Sequence, residues 1–218
     1  MDQNAPLSIL RIRGMQVDTI SICLLTAKLD DTKFHAGVPE RHEDYLSKLT
    51  SQLYGMSKEH VRRSTRSFNR TFFQVTTAGL TPEHKDVRYE PLDAFESIIN
   101  LSEEQARPRT PDGSFTLIDD RGYAALEGQS INRYIASLQR LMNRRLFVTL
   151  SGHLGLGPAG MMSGDTVAIL FGGNVPYILR PLENKQWHFV GECYLDGYMD
   201  GEAMEGRDPS KDEWFGMV

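Results

Sequence analysis

The densest group of potentially reactive side chains lies near the C-terminal end of the chain. It combines carboxylates with a thiol and a phenol: Glu192, Cys193, Tyr194, Asp196, Asp200 and Glu202. Carboxylates and phenols can transfer protons, and a thiolate can act as a nucleophile. On a strand, Glu192 and Tyr194 would share one face, and Cys193 would lie on the other. The acidic neighbourhood would raise the pKa of that thiol, so we expect a structural cysteine.

A second set of charged residues is predicted at the ends of strands: Asp165, Arg180 and Glu192. Pairs of arginine and carboxylate often brace turns in small barrels, and the same pairs can bind a ligand. Together with Tyr194, Asp200 and Glu202, these residues form the candidate site. We interpret it as either a structural ion-pair set or a ligand-binding set, and we assign no catalytic residue.

The glycines and histidines do not complete a cofactor or metal motif. Gly155 and Gly157 lack the third spaced glycine of a dinucleotide fingerprint and the lysine of a phosphate loop. The acidic run after Asp196 misses the spacing of an EF-hand, because Tyr198 occupies the second ligand position. No two of the six histidines have the His-x-x-x-His spacing of a zinc protease. We therefore expect neither a metal nor a cofactor.

The composition argues against nucleic-acid and membrane partners. Lys and Arg total 24 and Asp and Glu total 29 in 218 residues, a net charge of −5 at pH 7, whereas nucleic-acid binders are usually basic. Arg62, Arg66 and Arg70 recur every four residues, and we interpret them as a solvated or ion-pairing helix face. The first residues are polar, and no apolar run is long enough to cross a membrane. With two cysteines, the sequence predicts a cytoplasmic protein with reduced thiols.

The first 145 residues predict a mainly helical region with short N-terminal strands. Residues 7–25 contain two extended pieces that we expect to turn at Gly14. Apolar residues at helical spacing then predict four helices. The first spans residues 39–54 and ends at Gly55, and the second is capped by Ser57 and contains Val61, Phe68, Phe72 and Val75. The third spans residues 92–101, and the fourth runs from Ser130 to Met142. Residues 76–91 and 103–122 are predicted connections.

At Leu146 the apolar period changes from helical to alternating. Four short strands are predicted around Leu146–Leu150, Val167–Phe171, Val175–Leu179 and Trp187–Gly191. Eleven of the 19 glycines lie between residues 152 and 206, where they suit tight turns. The sequence thus predicts an α+β protein, in which the helical part packs on a small antiparallel β-barrel-like module, residues 146–206. Residues 207–218 are a predicted tail, whose Trp214 and Phe215 dock on the parent domain or on a partner.

Several short segments occur in an order that is typical of one protein family. They are residues 10–14 (LRIRG), 17–20 (VDTI), 68–72 (FNRTF), 144–147 (RRLF), 155–158 (GLGP), 164–167 (GDTV), 176–181 (PYILRP), 190–194 (VGECY) and 197–203 (GYMDGEA). In this order they resemble the C-terminal region of fungal heterokaryon incompatibility proteins. The chain departs from that pattern at Leu195-Asp196-Gly197, where relatives more often carry a histidine before the glycine. Relatives usually add an N-terminal, TIR-like effector domain, so we expect a stand-alone or truncated relative without it.

The resemblance implies a regulatory or interaction protein that binds a protein partner or a small ligand. It carries over neither cell-death activity nor any catalytic residue. The alternative is a cofactor-free isomerase, cyclase or hydrolase that uses carboxylates and tyrosines in a pocket between the helices and the barrel.

Overall fold

The computed structural model describes residues 9–26, 42–63, 67–80, 84–89, 92, 95–96, 99, 134 and 136–218. Its helices are α1 (His42–His60) and α2 (Phe68–Thr76). Its strands are β1 (Leu10–Thr26), β2 (Arg144–Thr149), β3 (Leu154–Pro158), β4 (Thr166–Leu170), β5 (Tyr177–Pro181), β6 (Gln186–Glu192), β7 (Tyr194–Leu195) and β8 (Glu213–Met217). The predicted connection 103–122, Ser130 and Arg66 lie outside the described residues.

Five of the strands close into a ring. The order around the ring is β1, β4, β5, β6 and β8, and β8 returns to β1. The pairings are antiparallel except that of β6 with β8, which is parallel. Strands β2, β3 and β7 continue the sheet from the second half of β1. The predicted α+β class with a small barrel is confirmed.

Strand β1 is one continuous element of 17 residues, so the predicted turn at Gly14 is wrong. Gly14 pairs with Glu213 of β8 on one side and with Leu170 of β4 on the other. A Cβ on Gly14 would lie only 2.3 Å from the carbonyl oxygen of Ile169. Glycine is needed here because it lets two strands approach closely, which is its second common role beside turns.

Three apolar clusters lie between the layers. The first joins the helices to one face of β2 and β3, and contains Leu146 and Val148. The second contains Phe147 of β2 and Val167 of β4. The third is the interior of the barrel: Ala168, Leu170, Leu179, Phe215 and Met217. Because neighbouring residues of a strand point in opposite directions, β2 and β4 are covered on both faces.

Because both faces of β2 and β4 are covered, the predicted alternation of buried and exposed residues is wrong for these strands. Phe147 and Ala168 are fully buried between the predicted core positions, and Leu150 is 69% exposed in the turn after β2. The sequence patterns do not indicate strand β3, because its two glycines are typical of a loop. A Cβ on Gly155 would lie 2.3 Å from the ring of Phe147, so glycine makes room for that ring on the adjacent strand.

The helices differ from the prediction at three points. Helix α1 continues through Gly55 to His60, since glycine within a helix costs only about 1 kcal/mol. Ser57 is therefore a buried residue of α1 and not a cap. Ser67 caps α2 instead, where its Oγ accepts the Arg70 N–H at 3.4 Å.

The predicted arginine face of one helix is also wrong. Arg62 follows the end of α1, whereas Arg70 lies in α2, so the four-residue spacing crosses a break between helices. The backbone N–H groups of Arg62 and Arg63 both donate to the carbonyl oxygen of Gly152, each at 3.1 Å. These residues thus join α1 to the turn between β2 and β3.

The end of the chain forms a strand where a tail was predicted. Glu213–Met217 pairs with β1 along its length and with β6 at Gly216 and Met217. Phe215 is fully buried in the barrel, where the centre of its ring lies 5.3 Å from the centre of the Trp187 ring. Since β1 pairs with β2, β4 and β8, the sheet crosses the predicted boundary between residues 145 and 146.

Candidate functional site

The first part of the candidate site is a partly buried ion pair beside the turn between β3 and β4. Asp165 is 1% exposed and directly precedes β4. Arg180, on the adjacent strand β5, donates from Nε to Asp165 Oδ1 at 2.8 Å and from Nη2 to Oδ2 at 2.9 Å. This two-pronged geometry is the strong form of an arginine–carboxylate contact. The hydrogen bond to Asp165 raises the pKa of Arg180, whose side chain stays charged.

The same pair fastens the turn to its surroundings. Asp165 Oδ2 also accepts the Met162 N–H at 2.8 Å, and Arg180 Nη2 donates to the Gly160 carbonyl oxygen at 2.8 Å. Arg145 of β2 adds hydrogen bonds to the carbonyl oxygens of Leu24 and Met161, at 3.0 and 3.2 Å. Each polar contact ends within the protein, so the group acts as a brace between β1, β2 and β5.

The second part of the candidate site lies around the loop after β7. Arg88 donates from Nη1 to Asp200 Oδ2 at 2.6 Å and also pairs with Asp86. Glu202 Oε2 accepts the Asp200 N–H at 2.7 Å, which closes the turn at Gly201. These contacts fasten the segment after α2 to the loop, and they do not include Asp165 or Arg180.

Tyr194 belongs to this second part. A Cβ on Gly79 would lie 2.9 Å from Cε2 of its ring, so the ring lies directly on the backbone after α2. Burial raises the pKa of the Tyr194 hydroxyl above its usual value, and the charges of Asp196 and Asp200 raise it further. The phenol is therefore a poor proton donor near neutral pH.

Glu192 stands apart from both groups. It lies on β6 opposite Tyr177, is exposed, and makes no side-chain hydrogen bond or ion pair within the described ranges. The neighbouring Cys193 is 3% exposed, and burial raises the pKa of its thiol. Burial likewise raises the pKa of Cys23, although Arg145 opposes this effect. Neither thiol is activated as a nucleophile.

Sequence reasoning missed a third charged group, which contains Arg13, Arg207 and Asp212. The Asp212 side chain is 2% exposed; Arg13 contacts it at 2.9 Å, and Arg207 pairs with it through two nitrogens. The Arg207 guanidinium also lies 4.5 Å from the centre of the Phe171 ring. No local pattern could reveal this group, because Arg13 and Asp212 come from opposite ends of the chain.

We predict that this third group makes stability depend on acid pH. The hydrogen bond from Arg207, together with the charges of both arginines, lowers the pKa of Asp212. A carboxyl whose folded pKa lies below its unfolded pKa of about 3.9 stabilises the fold above that value, and this contribution is lost as pH falls through the folded pKa. Urea unfolding should therefore show that Asp212→Asn is less stable at pH 7, and that the difference shrinks below about pH 4.

Glu192→Gln is the matched control, since its carboxylate is unpaired in the described structure. At each pH between 7 and 3, Glu192→Gln should have nearly the same free energy of unfolding as the unchanged chain. A difference for Asp212→Asn that stays constant over this range would contradict the assigned role of its charge.

The outer wall of the barrel carries a feature that the sequence patterns did not indicate. Alternate residues of β1, β6 and β8 point into the barrel interior, so their neighbours point outwards. We call these neighbours, with the residues that flank the strand ends, the outer barrel face: Ile9, Arg11, Arg13, Gln186, His188, Trp214, Gly216 and Val218. Three of its apolar side chains are strongly exposed, Trp214 at 64%, Val218 at 45% and Ile9 at 42%.

Two further features are absent from the described ranges. No group of three or more His, Cys, Asp or Glu residues there could hold a metal ion. None of the helices in those ranges is long and apolar enough to cross a membrane.

Comparison with known proteins supports the resemblance found in the sequence. Residues 122–215 match the family model of the Het-6 beta-barrel domain. The chain is 38% identical over 88 residues to heterokaryon incompatibility protein 6, OR allele, of Neurospora crassa. That match covers 39% of this chain and 12% of the relative. No solved structure matches significantly. Strand β1, which completes the barrel, lies before the residues matched by the family model.

Proposed function

We propose that this chain, whose residues 122–215 carry a Het-6 beta-barrel domain, is a non-catalytic protein-interaction module of a heterokaryon incompatibility system. In this proposal the barrel is a rigid support, and its outer face contacts a protein partner. The free thiols Cys23 and Cys193 suit a reducing compartment, so the module is proposed to be cytoplasmic.

The observation that carries the proposal is the exposure of Trp214. It is the second residue of β8, where it pairs with Arg13 of β1, and β6 pairs with β8 further along, at Gly216 and Met217. The adjacent Phe215 fills the barrel interior, so Trp214 is not needed there. A tryptophan that is 64% exposed on a well-held strand, with Arg13 directly across on β1, has the composition of an interface hot spot.

The state of the candidate site supports binding over catalysis. Asp165 is held by two bonds from Arg180, and Asp200 is paired with Arg88. The thiol of Cys193 and the phenol of Tyr194 both have raised pKa values. Acid–base catalysis needs groups that can exchange protons near the working pH. These residues instead make contacts that join loops and strands.

The proposal is tested by photo-crosslinking of the full chain in fungal cells. A photoreactive amino acid replaces Arg11 or His188 on the outer barrel face, or Leu150 in the exposed turn after β2 as the control. We expect the same discrete protein adduct from positions 11 and 188, and none from position 150. Introducing Trp214→Ala should suppress both adducts. Adducts indifferent to Trp214→Ala, or turnover of a metabolite by the purified chain that Asp165→Asn abolishes, would overturn the proposal.

A further inference from the structure

We infer that the outer barrel face binds an acidic segment of a protein partner, which places an apolar side chain against Trp214 and carboxylates against Arg11 and Arg13. This inference rests on the proposed function and adds the chemistry of the partner.

The charge of the face is opposite to that of the whole chain. The chain carries a net charge of −5, yet none of the eight residues of the outer barrel face is acidic. Arg11 is exposed and forms no ion pair within the described ranges. Arg13 is 51% exposed and reaches Asp212. Arg207 pairs with the same carboxylate. The group of two guanidiniums and one carboxylate therefore has a net charge of one positive unit.

The shape of the face suits an extended segment with one apolar side chain. Successive outward positions of β8 and its end are Trp214, Gly216 and Val218, about 7 Å apart. Gly216 has no side chain, and only Ile9 comes close to it, 3.2 Å from the place of a Cβ. The outward positions of β8 therefore offer the indole of Trp214 and the isopropyl group of Val218, with the Ile9 side chain beside Gly216 between them. Arg11 lies directly across from Gly216 on β1.

A protein segment fits this face better than nucleic acid does. Trp214 is the one exposed Trp, Tyr or Phe among the eight residues, and His188 adds the only other exposed ring, whereas single-stranded nucleic acid is usually held by several stacked aromatics along a basic groove. The two exposed aliphatic residues beside it, Ile9 and Val218, match apolar side chains of a peptide. Carboxylates on that peptide supply the complementary charge, which sets orientation and the rate of association.

The test selects peptides from a random 12-residue phage library on the purified full chain, with Trp214→Ala as the counter-selection target. We expect the enriched peptides to be acidic and to share one bulky apolar residue. A synthetic copy of the best peptide should lose about tenfold in affinity on Trp214→Ala. It should lose about threefold in affinity on Arg11→Gln at low salt, and added salt should shrink this difference because it screens the charge of Arg11. The Leu150→Ala chain should bind like the unchanged chain.

The outcomes separate this inference from the proposed function. Enrichment of neutral or basic peptides that still depend on Trp214 would overturn the acidic partner and leave the interaction module standing. Enriched peptides indifferent to Trp214→Ala, or no enrichment above the counter-selection, would overturn both. Tighter binding of a single-stranded oligonucleotide than of the best peptide would assign the face to nucleic acid and overturn the inference. Dimer formation that Trp214→Ala abolishes would show that a second copy occupies the face and would overturn the inference.

Discussion

Replacing Phe215 with alanine is expected to lower the free energy of unfolding by about 3–5 kcal/mol. The side chain is fully buried inside the barrel, where its ring meets Trp187. The ring also lies against Gly14, 3.1 Å from the place that a Cβ there would occupy. Because Gly14 has no side chain, it could not fill the cavity that Phe215→Ala would leave. A loss of this size is a large share of the stability of an ordinary domain. Urea unfolding followed by circular dichroism measures it.

Trp214→Ala is the matched control for Phe215→Ala, since the two residues are neighbours on β8 and point in opposite directions. The Trp214 side chain is 64% exposed, and exposed substitutions of this kind usually change stability by no more than about 0.5 kcal/mol. Equal losses for the two variants would contradict the orientation of β8 and the closure of the barrel. A larger loss for Trp214→Ala would assign that residue to the core.

Replacing Arg180 with methionine is expected to lower the free energy of unfolding by about 2–4 kcal/mol. The variant would leave the Asp165 carboxylate, 1% exposed, with one remaining hydrogen-bond donor, the N–H of Met162. An uncompensated buried charge is strongly destabilising. The loss of unfolding free energy should be smaller than for a fully buried ion pair, because the Arg180 side chain is 26% exposed and water partly screens the pair.

Two further variants test this explanation. Arg11→Met removes an exposed arginine without an ion pair in the described ranges, so it should change stability by no more than about 0.5 kcal/mol. The double variant Asp165→Asn with Arg180→Met should be more stable than Arg180→Met alone, because it removes the buried charge as well. An Arg180→Met variant as stable as Arg11→Met would contradict the role of the brace.

The local parts of the barrel were predictable from the sequence because their signals lie close together in the chain. Alternating apolar residues and turn residues such as Gly164 and Gly172 mark β4, β5 and β6, which pair in chain order. The fold class follows from these signals and is confirmed. The family resemblance rests instead on the order of the short quoted segments, and it is confirmed by the comparisons. The resemblance is confirmed over residues 122–215, a smaller part of the chain than the quoted segments span.

The closure of the barrel could not be predicted in the same way. It depends on Leu10 pairing with Met217 and on Gly14 pairing with Leu170. An alternating pattern tells which residues share a face of a strand, but it does not name the partner strand. Strands with two covered faces, such as β2, also lose the contrast between apolar and polar residues on which the pattern depends.

The charged groups were also predictable only where their residues lie on neighbouring strands. Asp165 directly precedes β4 and Arg180 lies on the adjacent strand β5, and the structure brings them together. Glu192 was grouped with them, yet it projects from β6 without joining the pair. The Arg13–Asp212–Arg207 group and the outer barrel face arise only because β8 returns to β1. Features built from the two ends of a chain have no local signal.

The most direct test of the outer barrel face is the affinity of the selected peptide for the Trp214→Ala chain, measured by fluorescence anisotropy beside its free energy of unfolding. We predict a loss of about tenfold in affinity with stability unchanged to within about 0.5 kcal/mol. Unchanged affinity in a fully folded Trp214→Ala chain would contradict the account, because the exposed tryptophan would then have no part in binding.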